Sequence, residues 1–181
     1  MSVDPLAWFR AWFEAAPVDV PEAMALATAS ADGAPSVRMV LLKQADERGF
    51  VFFTSYESRK GRELAENPRA ALLFHWPGRQ VRVEGGVERL PAGESDAYWA
   101  TRPAGSRASA AASRQSEVLG SRAELERAAA ALRDPARPTH WGGFLLRPER
   151  WEFWEHRDDR LHDRTRVTRE GDGWIGELLY P

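Results

Sequence analysis

The chain has 181 residues, no cysteine, and a formal charge of −2 from 25 basic and 27 acidic side chains. That length supports one packed domain over residues 1–181. The missing thiols exclude disulfides, thiolate nucleophiles and cysteine zinc sites, and the near-balanced charge speaks against bulk attraction to nucleic acid or an anionic membrane.

The opening MSVDPLAWFRAWFEAAP carries acids and a proline where a signal peptide needs a basic region and an unbroken apolar stretch, so a cytoplasmic protein is expected. Asp4 and Pro5 read as the N-cap and first position of a helix on which Leu6, Trp8, Phe9, Trp12 and Phe13 recur at helical spacing. MALATAS and SVRMVLLKQ, on either side of Asp32-Gly33, predict a hairpin. After the polar turn ADERG come a strand, FVFFTS, and a short helix, SRKGRELAENP, closed by Asn67-Pro68. AALLFHW and RQVRVEGGVERL read as strands around the turn WPGRQ.

Pro91 opens a helix through Tyr98 and Trp99, and PAGSRASAAASRQS reads as a functional loop or broken helix. Ser121 and Glu124 have the spacing of a capping box for a helix to about Arg133. Beyond PARP, four strands are predicted: GGFLLRP, RWEFWEH, RLHDRTRVTRE and WIGELLYP, the last two joined by Gly171-Asp172-Gly173. Many hairpin-linked strands with peripheral helices point to an antiparallel barrel or sandwich that is mainly β.

Neither GxGxxG after a strand nor GxxxxGK[ST] is present, so a phosphate would have to be held by side chains. Arg38 with Lys43, Arg59 with Lys60 at the start of a helix, and Arg160 with Arg164 are the candidates. Only Lys43 and Lys60 are lysines in this arginine-rich chain, which suggests positions where a compact ammonium suits better than a planar fork. Regular alternation puts Arg38 and Lys43 on opposite strand faces.

Tyr98 and Arg102 are helical neighbours if the helix runs that far, and with Ser106 they form a set suited to an aromatic phosphate ester. The four histidines lack metal-ligand spacing, so no metal is expected, and GESDA around Ser95 lacks the context of a nucleophile elbow. Trp12, Trp141 and Trp151 read as core, whereas Trp154 beside the charge-dense RLHDR segment is the better candidate for lining a flat ligand.

RMVLLK, FFTS, SRKGREL, NPRAALLFHW, RQVRVEG, RP with SRQS, and EFW followed by RLHDR, in this order from DPLAWF to the C-terminus, resemble the pyridoxamine 5′-phosphate oxidase family. The resemblance implies a homodimeric, FMN-binding antiparallel split β-barrel with FMN at the subunit interface. It implies oxidation of pyridoxamine or pyridoxine 5′-phosphate by dioxygen to pyridoxal 5′-phosphate, within vitamin B6 metabolism.

Residue by residue, the resemblance implies FMN contacts from Arg38, Met39, Val40, Leu41, Leu42 and Lys43, and from Phe53, Thr54, Arg59 and Lys60. Gln80, Gln115, Ser116, Trp154 and Arg164 complete that set. Substrate contacts would come from Lys43, Tyr98, Arg102 and Ser106 around the phosphate, with Arg160 and His162 over the pyridine ring as the catalytic pair. In RLHDR, Leu161 would anchor the strand and Asp163 orient an arginine.

Four departures stand beside the resemblance. Phe53 replaces a frequent tyrosine, WPGRQ is about two residues shorter than the usual turn, Leu178 replaces an arginine, and the N-terminal extension that touches substrate in some relatives has no counterpart. Two alternatives stay open: a related FMN oxidase on another aromatic substrate of phenazine type, and a flavin- or pyridoxal-phosphate-binding protein with little turnover.

Overall fold

The computed structural model describes residues 2–181. Helix α1, Pro5–Glu14, starts where the Asp4 carboxylate accepts hydrogen bonds from the Leu6 and Ala7 amides at 3.1 and 3.0 Å. It turns Phe9 and Trp12 into the protein, where Phe9 meets Phe50 and Phe74 edge-on and Trp8 stacks flat on Phe153 at 4.0 Å. Fully burying a side chain such as Phe9 stabilises by about 1.5–3 kcal/mol.

Among the described residues nine strands follow in one antiparallel sheet: β1 Ala23–Ala29, β2 Pro35–Leu41, β3 Gln44–Asp46, β4 Gly49–Ser55, β5 Arg69–Trp76, β6 Arg79–Arg89, β7 Trp141–Glu155, β8 Asp163–Glu170 and β9 Gly173–Leu178. The order is β2-β1-β5-β6-β7-β4-β3, with β8 and β9 branching from β7. The first half of β7 pairs with β4 and the second half with β8, which curls the sheet around the core. Phe9, Met24, Leu26, Phe52, Leu72, Phe74, Leu146 and Phe153 are buried in that core.

GGFLLRP and RWEFWEH, predicted as two strands, form one strand. Pro148 does not end it, because the β6–β7 register shifts at Glu84/Gly85 and the proline sits opposite the bulge, where its missing N–H costs no ladder bond. Gly85 is required there, since a Cβ would run into the Arg147 carbonyl. The Asp32-Gly33 hairpin forms as predicted, with Gly33 at φ +86°.

SVRMVLLKQ, however, is two strands. The chain leaves β1 at Leu41, and the Lys43 amide donates to the Val51 carbonyl at 2.8 Å, starting the pairing with β4. The helices are α2 Arg59–Glu66, α3 Ala92–Thr101, α4 Ala104–Ala112 and α5 Arg122–Ala131. PAGSRASAAASRQS, read as a loop or broken helix, is mostly α4, preceded by Pro103, which also ends α3 one turn after Tyr98.

The Ser121–Glu124 capping box does not form. Ser121 makes no side-chain cap bond, and α5 ends at Ala131 rather than about Arg133. RLHDR does not start a strand either; β8 begins at Asp163, and Arg160 holds a left-handed φ of +65° in the preceding turn. Among the described residues no helix is long and apolar enough to cross a membrane.

Candidate active site

A cavity of about 960 Å³ opens between the end of β2, strand β4 and helices α3 to α5. Both lysines of the chain line it. Lys43 enters where the chain crosses from β2 to β3, and Lys60 enters from the first turn of α2. That helix begins where Ser58 Oγ accepts from the Gly61 amide, and Gly61 lies so close to the Tyr56 carbonyl that no Cβ would fit.

Lys60 is 7% exposed, and its ammonium donates to Thr54 Oγ1 at 3.2 Å, Ser58 Oγ at 3.3 Å and Gln115 Oε1 at 3.1 Å. None of these partners is charged. Burial, and then the charge of Arg38, lower its pKa to about 8, against an opposing pull from Glu63. A buried cation with only neutral hydrogen-bond partners keeps the capacity to pair with an anion.

Across the cavity, Tyr98, Arg102 and Ser106 come together as predicted, although Arg102 lies just past the end of α3 in extended backbone. The Arg102 guanidinium lies 4.6 Å above the Trp141 ring and 5.3 Å from that of Trp99. Burial depresses its pKa, and its buried NH1 has no hydrogen-bond partner. Burial also raises the pKa of the Tyr98 hydroxyl. Trp141 is buried, but it is more than the core residue predicted: it lines the cavity and belongs to an aromatic stack with Phe53 and Tyr98, whose rings are 3.9 Å apart. No spacing in the sequence points to that role.

Met39, Val40, Leu41, Phe53, Thr54 and Gln115 also line the cavity. Arg38, Leu42 and Arg59 do not; Leu42 is core, and both arginines grip Glu63. Arg38 lies half-buried on β2, whereas Lys43 falls past the end of that strand at Leu41 and is exposed, so regular strand alternation does not set its face. Glu63 is a residue that the sequence reading missed, although its position four after Arg59 on a helix was a visible ion-pair signal.

A second cluster gathers elsewhere. Register pairs Gln80 with Trp154 and Trp154 with Arg164, so three of the expected FMN contacts share one row across β6, β7 and β8. The His162 ring lies 4.7 Å from that of Trp154, and its Nδ1 accepts from the Arg157 amide at 3.1 Å, so a neutral ring carries its proton on Nε2. Arg164 donates to the buried Glu152 at 2.9 Å. None of Gln80, Trp154, Arg160, His162 and Arg164 lines the cavity.

Within RLHDR two expected supports differ. Leu161 is 64% exposed and anchors nothing. Asp163 stands 3.9 Å from Arg157, whereas Asp159 binds that arginine at 2.8 Å and also accepts from the Leu161 amide, so Asp159 organises the turn. Of the three non-glycine residues at positive φ among those described, Ser116 and Arg160 are both expected site residues, and such conformations concentrate at functional sites.

A curled antiparallel sheet with a cation-lined cavity at the edge of its strands defines the split-barrel class. A solved structure of PhzG from Burkholderia lata in complex with tetrahydrophenazine-1-carboxylic acid matches with TM-score 0.92 and 37% identity, covering 98% of this chain and 93% of the other. A pyridoxamine 5′-phosphate oxidase-related, FMN binding protein from Nostoc punctiforme shares the fold at TM-score 0.82 and 18% identity over all of both chains.

The family model described as pyridoxamine 5′-phosphate oxidase matches residues 14–134, and that of the pyridoxine 5′-phosphate oxidase C-terminal dimerisation region matches residues 141–181. Proteins called pyridoxine/pyridoxamine 5′-phosphate oxidase are 55% identical in Rubrobacter xylanophilus and 54% identical in Thermosynechococcus vestitus. Each alignment covers 98% of this chain, and 87% and 89% of the respective relative. The chain belongs to the pyridoxamine 5′-phosphate oxidase family.

Proposed function

We propose that the protein is an FMN-dependent oxidase that converts pyridoxamine 5′-phosphate, and pyridoxine 5′-phosphate, to pyridoxal 5′-phosphate with dioxygen as acceptor. The observation that carries this reading is the cavity in which Lys43, Tyr98, Arg102 and Ser106 converge opposite Lys60, in a chain akin over nearly its whole length to oxidases of that name. Two anionic groups need two cationic grips, and the cavity has them.

FMN fits the residues present. Lys60, with Thr54 and Gln115 at its ammonium, would receive an anionic phosphate, and Met39, Val40, Leu41 and Phe53 offer apolar walls to a flat ring. Bound FMN would supply the two-electron redox chemistry, leaving the protein to place the substrate. Arg102, with an unused buried N–H, would hold the substrate phosphate together with Lys43 and Ser106. Tyr98, stacked on Phe53, would close one side of the substrate ring.

Arg160 and His162 would bear on the pyridine ring from a second copy of the chain, with Gln80, Trp154 and Arg164 beside them toward the flavin. Three observations support this division. The two clusters do not share a cavity within one chain. The C-terminal match is to a dimerisation region. The edge strand β2 exposes the apolar row Val37, Met39 and Leu41, of which Met39 and Leu41 also line the cavity.

The phenazine-type reading rests on the likeness to PhzG, but that identity is 37% against 54–55% for the oxidases above. The test is anaerobic mixing of FMN-loaded protein with pyridoxamine 5′-phosphate while the flavin absorbance is followed. Bleaching, then recovery with aldehyde formation once oxygen enters, is expected. Flavin that never bleaches would contradict the assignment.

A further inference from the structure

Glu63 is 5% exposed and joins two elements that the proposed cofactor site needs. Its Oε2 accepts from Thr28 Oγ1 at 2.5 Å, Ser36 Oγ at 2.6 Å and Arg38 NH2 at 3.2 Å, while Oε1 accepts from Arg59 Nε at 2.9 Å. One carboxylate therefore ties a guanidinium from β2 to another from α2. Arg38 is also held by the Leu26 carbonyl, Thr28 and Ser36, so its fork is fixed from several sides. Arg59 is bound only through Nε and is 61% exposed, which leaves its terminal nitrogens free.

We propose that Glu63 is a positioning residue that, anchored by the fixed Arg38, aims the free terminal nitrogens of Arg59 at the phosphate of the cofactor and relieves the mutual repulsion of Arg38, Arg59 and Lys60. This rests on the FMN reading above and adds to it a residue that touches neither cofactor nor substrate. Three cations crowded at one helix start repel one another in a poorly solvated place. A single buried carboxylate among them leaves a net positive charge suited to a phosphate dianion and holds the forks in one geometry. Burial alone would raise the Glu63 pKa, but hydrogen bonds from Ser36, Thr28, Arg59 and Arg38 outweigh it and hold it at about 2, so the group is ionised at neutral pH.

The charged groups facing Lys60 are Arg38 from β2 and Glu63 from α2, while β4 and the segment after α4 present uncharged Thr54 and Gln115. Removing the Glu63 charge therefore leaves Arg38 unopposed and makes Lys60 lose its proton at lower pH.

The test titrates flavin-freed full-length protein into FMN and follows flavin fluorescence across the pH range around the Lys60 pKa, for wild type, Glu63→Gln, Arg59→Gln and the double variant, with folding checked by thermal melting. The expected result for Glu63→Gln is an FMN Kd raised about tenfold, as for loss of one well-aligned charge-assisted bond. Its alkaline loss of affinity should begin at lower pH than in wild type. In the Arg59→Gln background the same substitution should cost less, because Glu63 acts partly through that arginine. A Kd and alkaline limb unchanged by Glu63→Gln, or an effect fully additive with Arg59→Gln, would overturn the inference while leaving FMN binding intact. A wild-type protein that does not bind FMN would instead remove the reading on which it rests.

Discussion

Lys60 and His162 are held in contrasting ways. Lys60 is buried at a strand–helix junction, with Thr54, Ser58 and Gln115 on its ammonium and the Glu63 network behind it. His162 sits in a turn flanked by exposed Arg160 and Leu161, held by one backbone amide and a contact with Trp154. The cavity half is tied together by hydrogen bonds between elements distant in sequence; the RLHDR half is held mainly by short-range bonds within residues 157–163 and does not line the cavity of its own chain. Under the proposed division, the scaffold would supply cofactor binding and assembly would supply substrate alignment.

The largest expected effect separates the halves. Arg160→Ala combined with His162→Ala should lower kcat/KM by at least about 10²–10³-fold, the range for losing prearranged hydrogen-bonding groups, while the purified protein remains yellow. Colourless protein would show that the turn also carries cofactor binding.

Arg102→Ala comes next, with kcat/KM for the phosphorylated substrate falling roughly 100-fold, chiefly through KM, as expected for a buried charge-assisted grip. If the same loss appeared with a substrate lacking the phosphate, Arg102 would not be its phosphate contact.

The Glu63 network also predicts how the cavity half responds to acid. With the folded pKa held at about 2 against 4.5 for the free group, its stabilisation is complete above about pH 4.5 and is lost as pH falls toward 2. The difference is on the order of 3 kcal/mol. Glu63→Gln should flatten unfolding free energy against pH over that window, and an unchanged acid limb in urea titrations would contradict it.

The smallest effect is expected in the exposed half. Asp159→Asn weakens the Arg157 contact and the Leu161 amide bond in a solvated turn, so kcat should fall only about two- to fivefold without loss of flavin. A loss as large as that of the Arg160/His162 pair would mean that the turn depends on Asp159 far more than its exposure suggests.

Much of the cavity half was legible in the sequence. Two lysines in an arginine-rich chain both reach the cavity, and the Tyr98, Arg102 and Ser106 spacing brought those side chains to one wall because α3, the Pro103 break and α4 turn them the same way. The Asp32-Gly33 hairpin and the Asp4 cap were equally local signals. What could not be read depended on partners distant in sequence. Pro148 looked like a strand end because its tolerance is set by a bulge at Gly85 on β6. Trp141 looked like plain core because Arg102 and Phe53 approach it only in the folded chain. RLHDR looked like a strand start, yet the Arg157–Asp159 clasp and the left-handed Arg160 hold it as a turn.

The central claim is that one working site takes Arg102 from one copy and Arg160 from another. Arg102→Ala and Arg160→Ala chains, each nearly inactive alone at substrate well below the wild-type KM, would be mixed under conditions that exchange subunits, and oxidase activity measured at that substrate concentration. Random pairing makes half the dimers mixed, each with one intact site, so activity should recover to about a quarter of wild type. No recovery in verified mixed dimers would contradict the shared site.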